Sequence, residues 1–357
     1  MNHIHKADTK PFYAIDLFSG CGGLTLGLKK AGFLVTAAVE IDSKAQETYK
    51  LNHPKVKLYN QDIRKLDPLT VLKDLNLKPG DLDLLAGCPP CQGFSRLRTK
   101  NQNTSVQDER NELVSDFLRF IALMQPKTVM LENVPALAKD SRFLLACEKL
   151  ESLGYKITSQ ILDTADYSVP QRRKRLIMLA SKTHSPSIAD KSKKRITVRQ
   201  ALNGLESAEN TTDSLHGMGE KRSQEVRKII SLVPKNGGSR RDLPEIYQLN
   251  CHKRCKGFYD VYGRMSWEDV APTITSGCHN PSKGRFIHPE EDRTITLREA
   301  AILQGFPKKY KFNIKHGKES IALMIGNALP PPFIAAHASA LKKGLVEAQL
   351  SREEQKN

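Results

Sequence analysis

Short apolar runs alternate with helix-like patterns along the first half of the chain. Seven runs have the length and composition of buried strands, at residues 12–19, 34–41, 56–60, 82–87, 128–134, 157–163 and 175–181. Apolar residues at helical spacing predict helices at residues 22–32, in a segment ending near Tyr49, and at residues 111–124. Strands that alternate with helices indicate βαβ units, so we expect an α/β fold whose sheet is mostly parallel and covered on both faces.

The pattern changes after residue 181, where three basic, turn-rich segments show little periodicity, at residues 191–200, 236–244 and 251–269. Helical spacing returns at residues 296–306 and near residues 321–348. We therefore predict a larger α/β domain of residues 1–182 plus 318–350. A smaller, irregular domain of residues 183–317 includes the helix at 296–306.

The composition is that of an ordinary globular protein, with 39% hydrophobic and 27% charged residues among 357. No apolar run is long enough to cross a bilayer, and the N-terminus lacks a secretory pattern, so we expect a cytoplasmic protein with no membrane partner. The seven cysteines are then expected to be free thiols rather than a disulfide framework.

The formal net charge of +17 is large and changes the expected partner. Neutralisation of phosphates drives the binding of basic proteins to nucleic acids, which makes nucleic acid the natural partner. A basic protein without that function remains possible on charge alone.

A glycine-rich turn, DLFSGCGGLTLG at residues 16–27, joins the first strand to the first helix. Gly20, Gly22 and Gly23 allow a sharp turn and a close approach of backbone to a ligand, as in nucleotide-type cofactor sites at the carboxyl edge of a sheet. Glu40 follows the second strand, where an acid can accept from ribose hydroxyls, and Asp62 follows the third, where it can accept from an adenine amine. The alternative is a tight turn with two solvated acids.

The stretch LLAGCPPCQGFS at residues 84–95 contains two cysteines, Cys88 and Cys91. A thioredoxin-like pair is disfavoured because the motif follows the fourth strand and precedes a long polar loop. A zinc site needs further ligands, and the candidates all lie in the irregular domain, at Cys251, His252, Cys255, Cys278 and His279. A nucleophilic Cys91 is the better interpretation, with Cys88 as a packing residue and no metal expected.

Three charged residues near later strand ends could assist such a nucleophile. Glu132, in the motif ENV, ends the next strand and could act as an acid or a hydrogen-bond donor. Arg173 and Arg175, in QRRKR, alternate onto one face and could clamp an anionic group. Solvated side chains are the alternative for all three.

Six motifs occur in an order and at spacings that resemble the C5-cytosine DNA methyltransferase family in its bacterial or phage form. They are DLFSGCGGLTLGL, GCPPCQGFS, LENV, QRRKR, TLREAAILQGFP and IGNALPPP. The resemblance covers nearly all of the chain outside about residues 185–290. It implies a Rossmann-like methyltransferase sheet, with the irregular segment as target-recognition domain.

The resemblance also implies S-adenosylmethionine as methyl donor. It places Phe18 against the adenine, the glycine loop around the methionine part, Glu40 on the ribose and Asp62 on the adenine amine. The remaining residues implied at the cofactor site are Leu24, Ile41, Ile63, Pro90, Asn327 and Ala328.

The implied reaction is methylation of cytosine C5. Cys91 adds to C6, Glu132 lies at N3, Arg173 supports charge from the O2 side, and Arg175 holds the cysteine loop or a substrate phosphate. Because this chemistry cannot occur inside a stacked duplex, the target base must be flipped out. Residues 273–275 resemble a threonine-containing stretch common in the recognition domains of this family.

We expect a monomer that acts on double-stranded DNA. It is expected either to be the modification part of a restriction-modification system, whose endonuclease is a functional but not physical partner, or to be an orphan methylase. Two alternatives remain open. One is the tRNA-methylating branch of the same chemistry, against which the large basic recognition segment argues. The other is a nucleic-acid-binding regulator with a vestigial pocket, against which Cys91 in its full motif argues.

Overall fold

A seven-stranded sheet forms the centre of the larger domain in the computed structural model, which describes residues 10–90, 113–248 and 260–355. Its strands are β1 (Tyr13–Leu17), β2 (Leu34–Val39), β3 (Lys57–Tyr59), β4 (Leu84–Gly87), β5 (Thr128–Asn133), β6 (Lys156–Asp163) and β7 (Lys174–Ser181). Their order across the sheet is β3-β2-β1-β4-β5-β7-β6. The predicted α/β class is confirmed.

Strands β1 to β5 pair in parallel, whereas β7 lies antiparallel between β5 and β6. The expectation of a mostly parallel sheet therefore holds, but the apolar pattern did not indicate the reversed strand. Its register aligns Asn133 of β5 with Leu176 of β7. Because the two strands run in opposite directions, the start of β7 lies at the carboxyl edge of the parallel strands.

The helices of the described chain include those that the apolar spacing predicts. They are α1 (Gly23–Lys30), α2 (Ser43–Asn52), α3 (Pro68–Asp74), α4 (Leu113–Met124), α5 (Ser141–Ser152), α6 (Val198–Leu202), α7 (Gln224–Leu232), α8 (Leu297–Leu303), α9 (Gly317–Asn327) and α10 (Pro331–Glu354). The segment near residues 321–348 is divided between α9 and α10 by a proline-rich turn, since Pro330 cannot donate a helical hydrogen bond.

The two faces of the sheet bury separate apolar clusters. Ala14 and Leu84 belong to a cluster that includes residues of α1 and α10. Ile15 and Leu85, one position along the same strands, belong to a cluster with residues of α3, α4 and α5. This alternation follows from the two-residue period of a strand, and it leaves only the sheet edges for a polar site.

A buried arginine organises the smaller, basic part of the chain. Arg264 is fully buried and donates to the carbonyl oxygens of Ile230 at 2.9 Å and Val233 at 3.2 Å, which end α7. It also donates to the His288 carbonyl at 2.8 Å and pairs with Asp292 at 2.9 Å. A guanidinium that donates to several carbonyls without other partners can hold turns together in a segment that has few regular helices or strands.

Helix α8 belongs to an apolar cluster that also contains Cys21 and Ala45, from the predicted larger domain. The predicted boundary at residues 317 and 318 therefore crosses continuous packing. The division into residues 1–182 plus 318–350 and residues 183–317 stays a prediction.

One described segment, Ile314–Glu354, is long and apolar enough by composition to cross a membrane. Its most apolar window is 72% buried inside the protein, which favours a core helix.

Candidate active site

The predicted chemistry-bearing residues collect at the carboxyl edge of β1, β2, β4 and β5. The loops after these strands contain the glycine turn, Glu40, the Cys-Pro-Pro segment and the end of β5 with Glu132. Parallel strands direct their following loops to the same edge of a sheet, so the site is a consequence of strand direction.

The glycine turn has the backbone shape that its sequence predicts. Phe18, Gly20 and Gly22 have φ values of +63°, +53° and +97°. A left-handed phenylalanine is uncommon, and such conformations cluster where a ligand must be approached closely. A Cβ on Gly23 would lie 2.5 Å from the Leu329 carbonyl oxygen, so this glycine lets the turn pack against the start of α10.

The turn is held from behind by two residues that the sequence patterns did not single out. The Tyr310 hydroxyl donates to the Cys21 carbonyl at 2.6 Å. Nε2 of His53 lies 3.1 Å from that hydroxyl and 3.2 Å from the Gly22 carbonyl, while Nδ1 lies 3.3 Å from Lys29 Nζ. Burial, with Lys29 nearby, lowers the pKa of His53 to about 4. The neutral ring therefore donates through Nε2 and accepts through Nδ1.

Asp16 is a buried acid below the turn. Its Oδ2 accepts from the Thr25 hydroxyl at 2.6 Å, and Thr25 in turn contacts the Tyr49 hydroxyl at 2.8 Å. Oδ1 is buried without a hydrogen-bond partner in the described chain. Burial raises the pKa of Asp16 to about 8, because the charged form would lose its hydration.

Glu40 lies directly against the glycine turn. Its Oε2 accepts from the Gly20 backbone N–H at 2.7 Å, and Oε1 accepts from the Asp42 N–H at 2.8 Å. Burial raises the pKa of Glu40, while these hydrogen bonds oppose that shift. Each carboxylate oxygen has a further lone pair for a ligand hydroxyl. The next side chain, Ile41, is 64% exposed and offers an apolar face beside the acid.

Asp62 is engaged with a neighbouring arginine. Its carboxylate accepts from Arg64 Nε at 2.9 Å and Nη2 at 2.6 Å, and it caps the short helical turn Ile63–Lys65. The Arg64 hydrogen bond is the main factor that lowers the pKa of Asp62. A ligand amine at this position shares the carboxylate with Arg64.

The other residues implied at the cofactor site differ in their exposure. Leu24 and Ile63 are 3% and 4% exposed and belong to the apolar clusters under the sheet. Asn327 is exposed at the end of α9, and Ala328 follows it. Pro90 is half-buried after β4.

Glu132 is the penultimate residue of β5, and it is 2% exposed. The Cys88 thiol donates to Oε2 at 3.2 Å, and Nε of Arg175 lies 3.0 Å from Oε1. Burial raises the pKa of Glu132, although Arg175 and Arg173 oppose the shift. The Arg175 contact occupies one lone pair of Oε1, so the carboxyl retains a further bonding position.

The two arginines of QRRKR have different surroundings. Arg173 donates through Nη1 to the Ile274 carbonyl and through Nη2 to the Gly326 carbonyl, both at 2.9 Å. Arg173 is 5% exposed, and burial together with Arg175 lowers its pKa to about 9. Arg175 is the arginine that pairs with Glu132.

Asn133, the last residue of β5, holds the turn that leads toward the predicted nucleophile. Its Nδ2 donates to the Pro89 carbonyl at 2.9 Å, and it is 2% exposed. Cys91 and the loop after it lie outside the described residues, as do Cys251, His252 and Cys255.

Among residues 10–90, 113–248 and 260–355, no group of three or more His, Cys, Asp or Glu side chains could hold a metal ion. Cys278 is buried in an apolar cluster, and Nε2 of His279 lies 2.8 Å from Glu319. These two residues therefore do not form a metal pair with each other.

The arrangement combines a cofactor-type turn with a buried acid and an arginine at one sheet edge. Sequence reasoning missed Asp16, His53, Asn133 and Tyr310, which hold the loops. Asp16 and Asn133 lie inside the quoted motifs DLFSGCGG and LENV. A polar residue within or at the end of an apolar strand is the signal that could have identified them. His53 and Tyr310 carried no comparable signal, because their roles arise only from packing.

Comparisons with known proteins identify the family of this chain. A family model described as C-5 cytosine-specific DNA methylase matches residues 12–343. The Type II methylase M.HgiDII of Herpetosiphon aurantiacus is 36% identical, covering 95% of this chain and 98% of that protein. The Type II methyltransferase M1.HphI of Haemophilus parahaemolyticus is 33% identical, covering 92% and 86%. A crystal structure described as a DNA modification methyltransferase encoded within an E. coli prophage has a TM-score of 0.72 at 25% identity, covering 94% and 99%.

We predict that Gly22→Ala lowers the free energy of unfolding by more than the backbone strain of an alanine at positive φ alone would. A Cβ at Gly22 would lie 2.6 Å from the His53 ring and 2.7 Å from the Tyr310 hydroxyl. Gly80 is a matched control, since its φ of +93° is similar and nothing lies within 4 Å of its Cβ position. We expect Gly80→Ala to cost about 1–2 kcal/mol of unfolding free energy and Gly22→Ala roughly twice that. Equal losses in urea denaturation would contradict the packing argument.

We predict that burial of Asp16 lowers the free energy of unfolding by an amount that depends on pH. Its pKa is about 8 in the folded protein against 3.8 for the free side chain, so the folded state binds more protons between these values. The free energy of unfolding contributed by this group therefore falls as pH rises from about 4 to about 8. Asp16→Asn should remove that slope in urea titrations across this range. Asp67→Asn is the control, since the pKa of Asp67 is lowered; parallel wild-type and Asp16→Asn profiles would refute the assignment.

Proposed function

The chain belongs to the C-5 cytosine-specific DNA methylase family and is a DNA cytosine-5 methyltransferase, and we propose that Cys91, Glu132 and Arg175 form its reaction centre. The observation that carries this assignment is the carboxyl of Glu132. It is buried at the carboxyl edge of the sheet, and Nε of Arg175 lies 3.0 Å from its Oε1. A buried acid held against a cation in this way is typical of a functional site, and the neighbouring Asn133 holds the turn that leads to Cys91.

We propose S-adenosylmethionine as the methyl donor, bound at the carboxyl edge of β1 and β2. The exposed apolar side chain of Ile41 next to the Glu40 carboxylate suits an adenosine, which needs an apolar surface for its base and an acceptor for its ribose. Phe18 lies at the same turn, and the exposed Asn327 amide can complete the pocket. The bound donor supplies the transferred methyl group.

Cys91 begins the reaction as a thiolate that adds to C6 of the target cytosine. The addition breaks the C5–C6 double bond and makes C5 nucleophilic enough to be methylated. Loss of the C5 proton afterwards restores the double bond and expels the thiolate. Cys91 directly follows Pro90, and the Asn133 side chain holds the preceding Pro89 carbonyl at 2.9 Å, which orients the segment that leads to the nucleophile.

Glu132 binds the ring at N3. Its raised pKa means that the carboxyl keeps a proton more readily than an exposed glutamate, and it can therefore donate to N3 as charge develops on the ring. The Cys88 thiol and Arg175 orient the two carboxyl oxygens. Cys88 is thus a positioning residue in addition to packing against the apolar core.

The geometry favours exchanging the roles that the family resemblance implied for the two arginines. Both terminal nitrogens of Arg173 are bonded to backbone carbonyls, so we assign it to positioning. Arg175 reaches Glu132 with Nε, its Nη1 donates to the Lys174 carbonyl at 2.7 Å, and its side chain is 14% exposed. We assign Arg175 to the cytosine O2 side.

Duplex DNA is the substrate, and the target base has to leave the stack to reach Glu132. The net charge of +17 provides the electrostatic attraction to phosphates. We further propose that the irregular segment of residues 183–317 recognises the target sequence. By similarity to Type II methylases, we propose that the protein works in a restriction-modification system, whose endonuclease is a functional but not physical partner. We also propose that it acts as a cytoplasmic monomer.

We predict that purified protein transfers a labelled methyl group from S-adenosylmethionine to duplex DNA and not to tRNA. A duplex carrying 5-fluorocytosine at the methylated position should form a covalent adduct, because loss of the C5 proton is blocked. Cys91→Ser should abolish both the transfer and the adduct, whereas Cys88→Ala should reduce the rate only about 10-fold, as expected for loss of one hydrogen bond to the acid.

Methyl transfer to tRNA alone would show that tRNA, and not DNA, is the substrate. No adduct with any methylatable duplex, or an adduct that persists in Cys91→Ser, would refute the nucleophile. Sequencing of the methylated cytosines after expression in a methylation-free host would identify the recognition sequence for these duplexes.

We predict opposite phenotypes for the two arginines. Arg175→Lys should lower kcat by roughly 10- to 100-fold with little change in stability, since lysine cannot reproduce the guanidinium geometry. Arg173→Met should cost about 2–4 kcal/mol of unfolding free energy, since two buried carbonyls lose their donors. Kinetics and urea denaturation of both variants test this; full activity in Arg175→Lys would contradict the exchanged roles.

A further inference from the structure

Two glutamines outside the reaction centre form a buried, amide-to-amide contact. Gln171 precedes β7, Gln304 follows α8, and both are fully buried. Nε2 of Gln171 donates to Oε1 of Gln304 and, at 3.1 Å, to the Leu303 carbonyl. Buried amides are costly unless every donor and acceptor is satisfied, so the pair needs an explanation beyond packing.

The contact is the middle of a longer hydrogen-bond chain. Oε1 of Gln171 accepts from the Ile274 backbone N–H at 2.9 Å. Nε2 of Gln304 donates to the Ala328 carbonyl at 2.5 Å. The chain therefore runs in one direction, from the Ile274 N–H through two amides to the Ala328 oxygen. Rotating either amide would place oxygen against oxygen or donor against donor.

The two ends of this chain belong to different parts of the proposed enzyme. Ile274 lies in the segment of residues 271–276, which we name the recognition segment. Ala328 follows the last helical residue of α9. We name residues 326–328, the end of this helix with its exposed Asn327, the cofactor turn. The chain of amides thus links the two proposed ligand sites.

Further contacts join the same two segments. Arg173 donates to the Ile274 carbonyl and to the Gly326 carbonyl at 2.9 Å each. A Cβ on Gly326 would lie 2.3 Å from the Ser276 nitrogen and 2.4 Å from the Thr275 carbonyl carbon. The backbones of the recognition segment and the cofactor turn therefore touch directly.

We propose that Gln171 and Gln304 are positioning residues that couple the recognition segment to the cofactor turn, so that target DNA and the methyl donor strengthen each other's binding. The inference rests on the proposed function, because it takes residues 271–276 as part of the DNA surface and Asn327 as part of the cofactor site. Coupling of this kind is reciprocal, since each ligand changes the affinity of the other by the same factor.

The coupling factor is the ratio of two dissociation constants for S-adenosylhomocysteine, without and with a synthetic duplex carrying the identified recognition sequence. Calorimetric titration of the full chain measures both. We expect a factor of about 5–100 for the wild type, the ordinary range for coupled sites. In Gln304→Met, whose side chain has a similar length but no amide, the factor should fall toward one.

Thr128→Val is the matched control. The Thr128 hydroxyl is buried and donates to the Asp83 carbonyl at 2.5 Å, at the start of β5 and away from the carboxyl edge. This variant loses a buried hydrogen bond without touching either segment, so it should lower the thermal midpoint and leave the coupling factor unchanged. If Gln304→Met does not fold, Gln304→Asn replaces it, because asparagine keeps the amide on a stem too short to span both partners.

A wild-type factor near one, or an unchanged factor in a folded Gln304 variant, overturns the inference. Neither result affects the proposed function if labelled methyl transfer to duplex DNA proceeds normally. Absence of that transfer in the wild type would instead refute the proposed function.

Discussion

The antiparallel pairing of β5 with β7 is the constraint on which the proposed reaction centre depends. β5 delivers Glu132 to the carboxyl edge of the sheet, and only a strand running the other way can begin at that edge with its own side chains. This register brings Arg175 to 3.0 Å from the Glu132 carboxyl. It also places the residues before β7, including Gln171 and Arg173, under the recognition segment. A parallel β7 would begin at the opposite edge of the sheet, and the acid would lose its cation.

The glycine turn depends on support from distant parts of the chain. Tyr310 follows α8 and donates to the Cys21 carbonyl, while His53 follows α2 and contacts the Gly22 carbonyl. These contacts leave the exposed side of the turn to Glu40 and Ile41. The glycine turn is therefore shaped by residues that support it from behind. Rigid support of this kind keeps ligand-binding groups in place before the ligand arrives.

Much of the site could be predicted from local sequence, and the reasons are physical. Gly20 and Gly22 occupy left-handed backbone positions that glycine adopts readily, and an acid after β2 lies at the same sheet edge as the turn after β1. Glu132 could be placed at that edge for the same reason. The different partners of Arg173 and Arg175 could not be predicted, because alternation along a strand does not reveal which carbonyls or carboxylates come from elsewhere. The hydrogen bonds between the amides of Gln171 and Gln304 could not be predicted for the same reason. Gln171 is separated from its partners Leu303 and Gln304 by 132 and 133 positions in the sequence.

The sequence by itself determined the strand and helix series of the larger domain, the glycine turn and the identity of the chemical groups at the sheet edge. These features depend on apolar periodicity, on backbone freedom and on the ordered motifs that carry the family resemblance. The tertiary structure alone decided the reversal of β7, the burial of Asp16 and Glu132, and the contact between the recognition segment and the cofactor turn at Gly326. Burial and hydrogen-bond partners are relations between segments far apart in sequence, and they raise the pKa of these acids only once the chain has folded around them.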